Sequence, residues 1–193
     1  MRVVLASESP RRAELMRAAG FEIEVVPSGV EERRRAGEEP EAYVRRLAVA
    51  KALTATACDG DTPIVAADTV VLADGRLLEK PADDHEAADM LRLLSGRTHE
   101  VLTGVAVRFR DQQREHVERT RVRMARLGEA EIAWYVATGE PLDKAGAYAA
   151  QGLASRFIEA IDGSYSNVVG LPVAAVYQLL RELLGSDTLS VSD

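Results

Sequence analysis

The sequence predicts an α/β protein in which helices flank a mixed, twisted sheet. Three observations carry that expectation. A short apolar strand, Val3 to Leu5, passes through a polar loop straight into a helix opened by Pro10. The run Pro63 to Leu72 is almost continuously apolar, the mark of a strand covered on both faces. Two long alternating stretches, Arg97 to Phe109 and Glu115 to Leu127, flank a polar turn around Arg110 to Arg114 and read as a long antiparallel hairpin. With 193 residues the chain is long enough to bury a real core, and it fits one domain over residues 1–185 followed by a polar tail at 186–193.

The charge balance narrows the function. Lysine and arginine number 24 against 31 acidic residues, a formal net charge of −7. That argues against the long basic face a nucleic-acid backbone requires, while leaving room for a small anion held by a few local cations. Cys58 is the only cysteine, which excludes an intramolecular disulfide and a cysteine-rich metal site. His85, His99 and His116 are too scattered for a zinc site. No signal-peptide pattern opens the chain and no apolar run reaches membrane-spanning length, so the expectation is a cytoplasmic protein without nucleic-acid or membrane partners.

In chain order, the first strand ends in Ala6-Ser7-Glu8-Ser9, and Pro10-Arg11-Arg12 begins the first helix. Ser9 suits an N-cap and Pro10 the first helical position. Free N–H groups at a helix start favour an anion, and two guanidinium forks suit phosphate oxygens. An ordinary strand-to-helix turn with two solvated arginines would read the same way. Gly20 stops this helix, and Phe21 to Val26 alternates as a half-exposed strand. Pro27 to Glu39, with Glu31, Glu32 and Arg33 to Arg35, reads as a solvated, mobile loop. Pro40 opens a helix to about Ala57, on which Val44, Leu47, Ala48 and Lys51 share one stripe. Lys51 is then either a snorkelling lysine at the core edge or a cation aimed inward.

Asp68 and Thr69 interrupt the apolar run at 63–72. A carboxylate there is costly unless it is paired or binds a metal, which makes Asp68 the most anomalous residue of the chain. Asp74-Gly75 is a hairpin turn leading to Leu77, Leu78 and the charged loop Glu79-Lys80-Pro81. Asp83 or Asp84 caps a helix ended by Ser95-Gly96, and the long hairpin follows with Val101, Thr103, Val105, Val107 and Phe109 on one side of its first strand. A helix from Gly128 presents Ile132, Tyr135 and Val136 and stops at Gly139-Glu140-Pro141. The small-residue segment Leu142 to Gln151 permits close backbone approach. A strand at 157–161 and a turn at Asp162-Gly163-Ser164 precede the last helix, with Val173, Val176, Tyr177, Leu180 and Leu184 as its face.

Arginines at a helix start, a carboxylate in an apolar strand, an acidic loop and lysines at site edges together point to a metal-assisted phosphate reaction. Carboxylates would hold Mg²⁺ or Mn²⁺, while lysines and arginines hold phosphate oxygens. Neither a P-loop nor a dinucleotide-binding glycine fingerprint is present.

Six ordered blocks complete the pattern: Leu5-Ala-Ser-x-Ser-Pro-Arg-Arg12, Ala67-Asp-Thr-Val70, Glu79-Lys-Pro81, Ser95-Gly-Arg-Thr-His99, Asp143-Lys-Ala-Gly-Ala-Tyr148 and Val169-Gly-Leu-Pro172. In these the chain resembles the Maf family of nucleotide pyrophosphatases. The resemblance implies a fold like that of the inosine-triphosphate pyrophosphatases. It also implies metal-dependent hydrolysis of a nucleoside triphosphate to the monophosphate and pyrophosphate. It implies Asp68 as proton acceptor, Glu32 beside metal or water with Glu31 as its rival, Glu32 and Asp68 as metal-holding carboxylates, and Ser7, Arg12, Lys51 and Lys80 around the phosphates. Arg11, Thr69 and Gln151 match the combination of the dTTP/UTP branch, with clearance of non-canonical pyrimidine nucleotides as one use. Ala150 and Leu153-Ala154 depart from the commoner glycine-rich surroundings of Gln151. A homodimer is compatible with this reading. The alternative is a nucleotide-binding regulator of division or septum formation without essential catalysis.

Overall fold

The computed structural model describes residues 1–55, 57 and 60–185. Cys58 and the tail at 186–193 lie outside them. Among the described residues seven strands form a mixed sheet with helices, the class the sequence predicts. The strands are β1 (Arg2–Leu5), β2 (Glu22–Val25), β3 (Ile64–Ala73), β4 (Arg76–Leu78), β5 (Thr98–Phe109), β6 (Gln112–Met124) and β7 (Ile158–Asp162). Their order is β2-β1-β3-β5-β6-β7, with β4 paired to β3. The helices are α1 (Pro10–Ala18), α2 (Pro40–Thr54), α3 (Asp84–Leu94), α4 (Glu129–Ala137), α5 (Tyr165–Val169) and α6 (Val173–Leu184). No described helix is long and apolar enough to cross a membrane.

The chain divides into two compact units. Among the described residues the first comprises those of 1–68, 103–118 and 170–185, and the second residues 69–102 and 119–169.

In the first unit β1 pairs in parallel with β2 and with the start of β3, through Val4↔Ile64 and Leu5↔Val65. Side-chain alternation sends these strands to two cores. Val3, Leu5, Val65 and Ala67 pack with Ala13 and Met16 of α1 and with Val176 and Leu180 of α6. Val4, Ala6, Ile64 and Ala66 pack with Ala48 and Ala52 of α2. Gly104 explains how close α2 comes. A Cβ built there would stand 2.3 Å from the Val44 carbonyl oxygen, so the helix backbone rests directly on β5. Val105, Ala106 and Val107 are all buried, so this strand is covered on both faces rather than alternating as its sequence reads.

Two local expectations are corrected in this unit. Ser9 occupies the N-cap position of α1, but its side chain makes no capping bond; its N–H instead donates to Ser7 Oγ at 3.2 Å. Tyr177 is 42% exposed and off the buried face of α6, which consists of Ala175, Val176, Leu179 and Leu180. The Arg181 guanidinium lies over the Tyr177 ring instead.

In the second unit β3 and β4 form the expected hairpin. Asp74 and Gly75 both have positive φ, the pair of angles a two-residue primed turn demands. Asp83 caps α3 by accepting from the Glu86 N–H. The core gathers Leu91 and Leu94 of α3, Ile132 and Tyr135 of α4, Val122 and Met124 of β6, and Phe157. The segment after α4 is a series of 3-10 turns at Glu140–Asp143, Ala145–Ala147 and Leu153–Phe157. Gly146 has positive φ, and a Cβ there would meet Val71 at 2.8 Å, so two features exclude a side chain at one point. Helix α5 has no counterpart in the sequence reading: its five residues are too few to show a period.

Candidate active site

The first unit assembles a charged cluster from four segments. Asp68 leaves β3 toward the face that packs on α2 and is 6% exposed. Lys51, in the last turn of α2, is 5% exposed and meets it. Lys51 Nζ donates to Asp68 Oδ1 at 2.6 Å and to Glu32 Oε1 at 2.5 Å. A cation near a helix C-terminus is also favoured by the dipole. The stripe that carries Val44, Leu47 and Ala48 thus ends in an inward ion pair and not in a snorkelling side chain. Glu32, and not its neighbour Glu31, is the acid that reaches Lys51.

The loop that brings Glu32 is tied down, contrary to the mobile segment expected. Arg46 of α2 grips the Glu38 carboxylate with two bonds of 2.6 and 2.7 Å and reaches the Arg33 carbonyl at 3.0 Å. The Arg35 N–H donates to the same carboxylate. Bonding to Arg46 holds the Glu38 carboxyl down at about 2, below the usual carboxylate range.

Arg12 ties this corner together. Its Nε donates to the Gly170 carbonyl at 2.8 Å, and its Nη1 to the Ala67 carbonyl at 2.8 Å and to Ser7 Oγ at 3.2 Å. The guanidinium therefore fixes the backbone one residue before Asp68 as well as placing a positive charge beside it. Arg11 sits partly buried on the first turn of α1, and Ser7 is 6% exposed.

Two opposing influences act on Asp68. Burial raises its pKa, and Lys51 and Arg12 pull it back; the net shift is upward. A carboxylate so placed is poised to take a proton.

The cluster also fits a divalent cation by its donor set. Glu32 and Asp68 supply hard oxygens that converge on one point now served by Lys51 Nζ. Among the described residues no group of three or more His, Cys, Asp and Glu side chains is placed to hold a metal ion. Mg²⁺ is suited to one or two carboxylates, with substrate phosphates and water completing its shell.

The second unit holds the remaining candidates. Thr69 follows Asp68 in β3 and so leaves from the opposite face of the strand. Lys80 is exposed in the loop after β4, whose Glu79 carbonyl accepts from the Gly146 N–H. Gln151 is exposed in a tight turn closed by a bond from the Gly152 N–H to the Ala149 carbonyl at 3.0 Å. Sequence reasoning passed over Tyr135 and Glu140, whose side chains bond to the backbone around that turn. It also passed over Arg46 and Glu38. Their only mark was opposite charge eight positions apart across a loop.

Comparison with known proteins decides the family. The family model described as Maf-like protein matches residues 2–183, nearly the whole chain. The chain belongs to the Maf family. Its Maf relatives include the dTTP/UTP pyrophosphatase of Koribacter versatilis (strain Ellin345), 49% identical over 181 residues that cover 94% of each chain. Another is the dTTP/UTP pyrophosphatase of Salmonella typhimurium, 50% identical over 177 residues, covering 91% of this chain and 90% of the relative. Among solved structures the Staphylococcus aureus Ham1 protein matches with a TM-score of 0.51 over 97% of this chain and all of that one. At 13% identity that likeness concerns the fold alone.

Proposed function

We propose that this Maf protein is a dTTP/UTP pyrophosphatase. It hydrolyses the α–β anhydride bond of the nucleoside triphosphate to give the monophosphate and pyrophosphate, in the cytoplasm. The observation that carries the proposal is the buried Asp68–Lys51 pair with Glu32 on the same ammonium and Arg12 alongside. Relatives about half identical over nearly their whole length bear that name.

Asp68 accepts the proton of the attacking water. Burial raises its proton affinity and so strengthens it as a base. Lys51 holds one Asp68 oxygen in place and, with Arg12, offsets the negative charge that gathers as the anhydride breaks. Arg12, bonded to Ser7 Oγ and to the Ala67 carbonyl, fixes the backbone beside Asp68. Glu32 and Asp68 are the residues that would hold Mg²⁺ or Mn²⁺, which supplies charge neutralisation and polarisation of phosphoryl oxygens when bound. Lys80 is assigned to the β- and γ-phosphates, and Arg11, Thr69 and Gln151 to reading the base. An amide side chain meets the N3–H donor and a flanking carbonyl of uracil or thymine at once.

The test is the product. Wild-type protein given UTP or dTTP with Mg²⁺ or Mn²⁺ should release pyrophosphate and UMP or dTMP in equal amounts. Release of orthophosphate and the diphosphate, or faster turnover of GTP than of UTP, would overturn the proposal.

A further inference from the structure

The turn that bears Gln151 is held from beneath by a pair of side chains with no part in the chemistry described above. The Ala149 N–H donates to Tyr135 Oη at 3.1 Å. That hydroxyl donates to Glu140 Oε1 at 2.7 Å. The Glu140 carboxylate then accepts from the Leu153 N–H at 3.0 Å and the Ala154 N–H at 3.4 Å. With the Gly152 N–H bonded to the Ala149 carbonyl, both sides of the turn are anchored to one hydrogen-bonded pair.

The surroundings are shaped to this pair. Tyr135 has no solvent exposure, and burial together with Glu140 raises its pKa, so its proton stays available to Glu140. Gly152 leaves room for the carboxylate. A Cβ built there would stand 2.3 Å from Glu140 Oε2. Glu140 itself is set where α4 ends, between Gly139 at φ 73° and the buried Pro141. Gln151 remains exposed on this fixed backbone. An exposed side chain discriminates between bases only when the backbone beneath it is held, because a loose turn lets it follow either hydrogen-bonding pattern.

We infer that Tyr135 and Glu140 are positioning residues for Gln151, and that the preference for uracil and thymine is set in part by this pair through the turn at 149–152. The inference rests on the assignment of Gln151 to the base. A structural tie alone would lower activity toward every substrate alike. A positioning tie changes the ratio between them.

The experiment measures kcat and KM for UTP and GTP, with Mg²⁺ present, in wild type, Tyr135→Phe, Glu140→Gln, Glu140→Ala, Gln151→Ala and the Tyr135→Phe/Gln151→Ala pair. Tyr135→Phe removes a single oxygen and should cut the UTP-to-GTP ratio of kcat/KM by about three- to tenfold, chiefly through KM for UTP. Glu140→Gln keeps an acceptor oxygen and should lose less than Glu140→Ala. In the Gln151→Ala background Tyr135→Phe should leave the ratio where Gln151→Ala alone puts it. A parallel fall for both substrates, or an undiminished Tyr135→Phe effect without Gln151, would overturn the inference. If Gln151→Ala shifts the ratio and neither Tyr135→Phe nor Glu140→Ala does, the inference fails while the base assignment stands. If Gln151→Ala leaves the ratio unchanged, the base assignment fails and takes the inference with it. Should Glu140→Ala not fold, Tyr135→Phe carries the decision.

Discussion

The first unit buries charge, and the second buries polar groups that stay neutral. In the first, Asp68 and Lys51 are nearly inaccessible and held 2.6 Å apart, with Glu32 on the same ammonium. In the second, His99 is 2% exposed and bonded through Nε2 to Tyr148 Oη at 2.8 Å, and burial pushes its pKa down to about 4. Burial raises the pKa of Tyr135 and of Tyr148, so both remain hydroxyls. The difference follows most of the work proposed for each, Lys80 of the second unit and Arg11 of the first being the exceptions. Moving a proton and neutralising phosphate need ionised groups, and these survive burial only when paired. Reading a base needs fixed donors and acceptors, which neutral groups supply without strong desolvation cost. The contrast can be broken at several points.

The largest effect is expected at Asp68. Asp68→Asn keeps the shape but cannot take a proton, and should lower kcat by roughly 10²–10⁴. The wild-type rate should also rise with pH through an acid limb above the ordinary carboxylate range, since burial raises the Asp68 pKa. A variant retaining more than about a tenth of the rate, a loss of only ~1.4 kcal/mol, would remove Asp68 from the role.

Lys51 comes next. Lys51→Ala leaves Asp68 buried without its amine and should cost about 3–5 kcal/mol of stability. It should also weaken triphosphate binding more than monophosphate binding. Denaturant titration of Lys51→Ala, Asp68→Asn and the double variant measures the coupling. If the double variant is no more stable than Lys51→Ala, the buried ion pair is not what Lys51 maintains.

The neutral histidine predicts a pH effect in the other unit. Its folded pKa of about 4 lies below the ordinary 6.5. Above pH 6.5 neither state binds a proton at His99 and its contribution is complete; as pH falls toward 4 the unfolded chain takes one and the folded chain does not. Wild type should lose roughly 3 kcal/mol through that window from this group, and His99→Gln should lose correspondingly less. Equal pH slopes for the two proteins would show that His99 is not held neutral.

The smallest change is expected at Gln151. Gln151→Glu should reduce kcat/KM for UTP and dTTP relative to GTP by about 1–3 kcal/mol for a lost partner, with metal dependence unaltered. An unchanged substrate ranking would remove the amide from base reading.

The charged cluster was more legible in the sequence than the neutral one. Asp68 announced itself because a carboxylate in an apolar run is costly unless it is paired or binds a metal, so it had to have a partner. Lys51 was half legible: periodicity put it on the buried stripe, but only the position of β3 against α2 turned it inward. The choice between Glu31 and Glu32 depended on a loop fixed by Arg46 and Glu38, and loops carry no period. Tyr135 and Glu140 were invisible as a pair, because side chains that bond to backbone N–H groups leave no residue-type signature at their partners. Tyr135 read only as one face of α4, and Glu140 only as part of a stop. The both-sided burial of β5 was masked by Gly104, which looks neutral in an alternating reading yet lets the α2 backbone lie directly against the strand.

The separation of chemistry from recognition is tested most directly by nucleotide binding to Asp68→Asn, measured by titration calorimetry with UTP and GTP alongside pyrophosphate release. The predicted result is a folded protein that binds UTP in preference to GTP by the wild-type ratio and releases almost no pyrophosphate. Loss of the UTP preference together with turnover, or turnover that persists, would contradict the account.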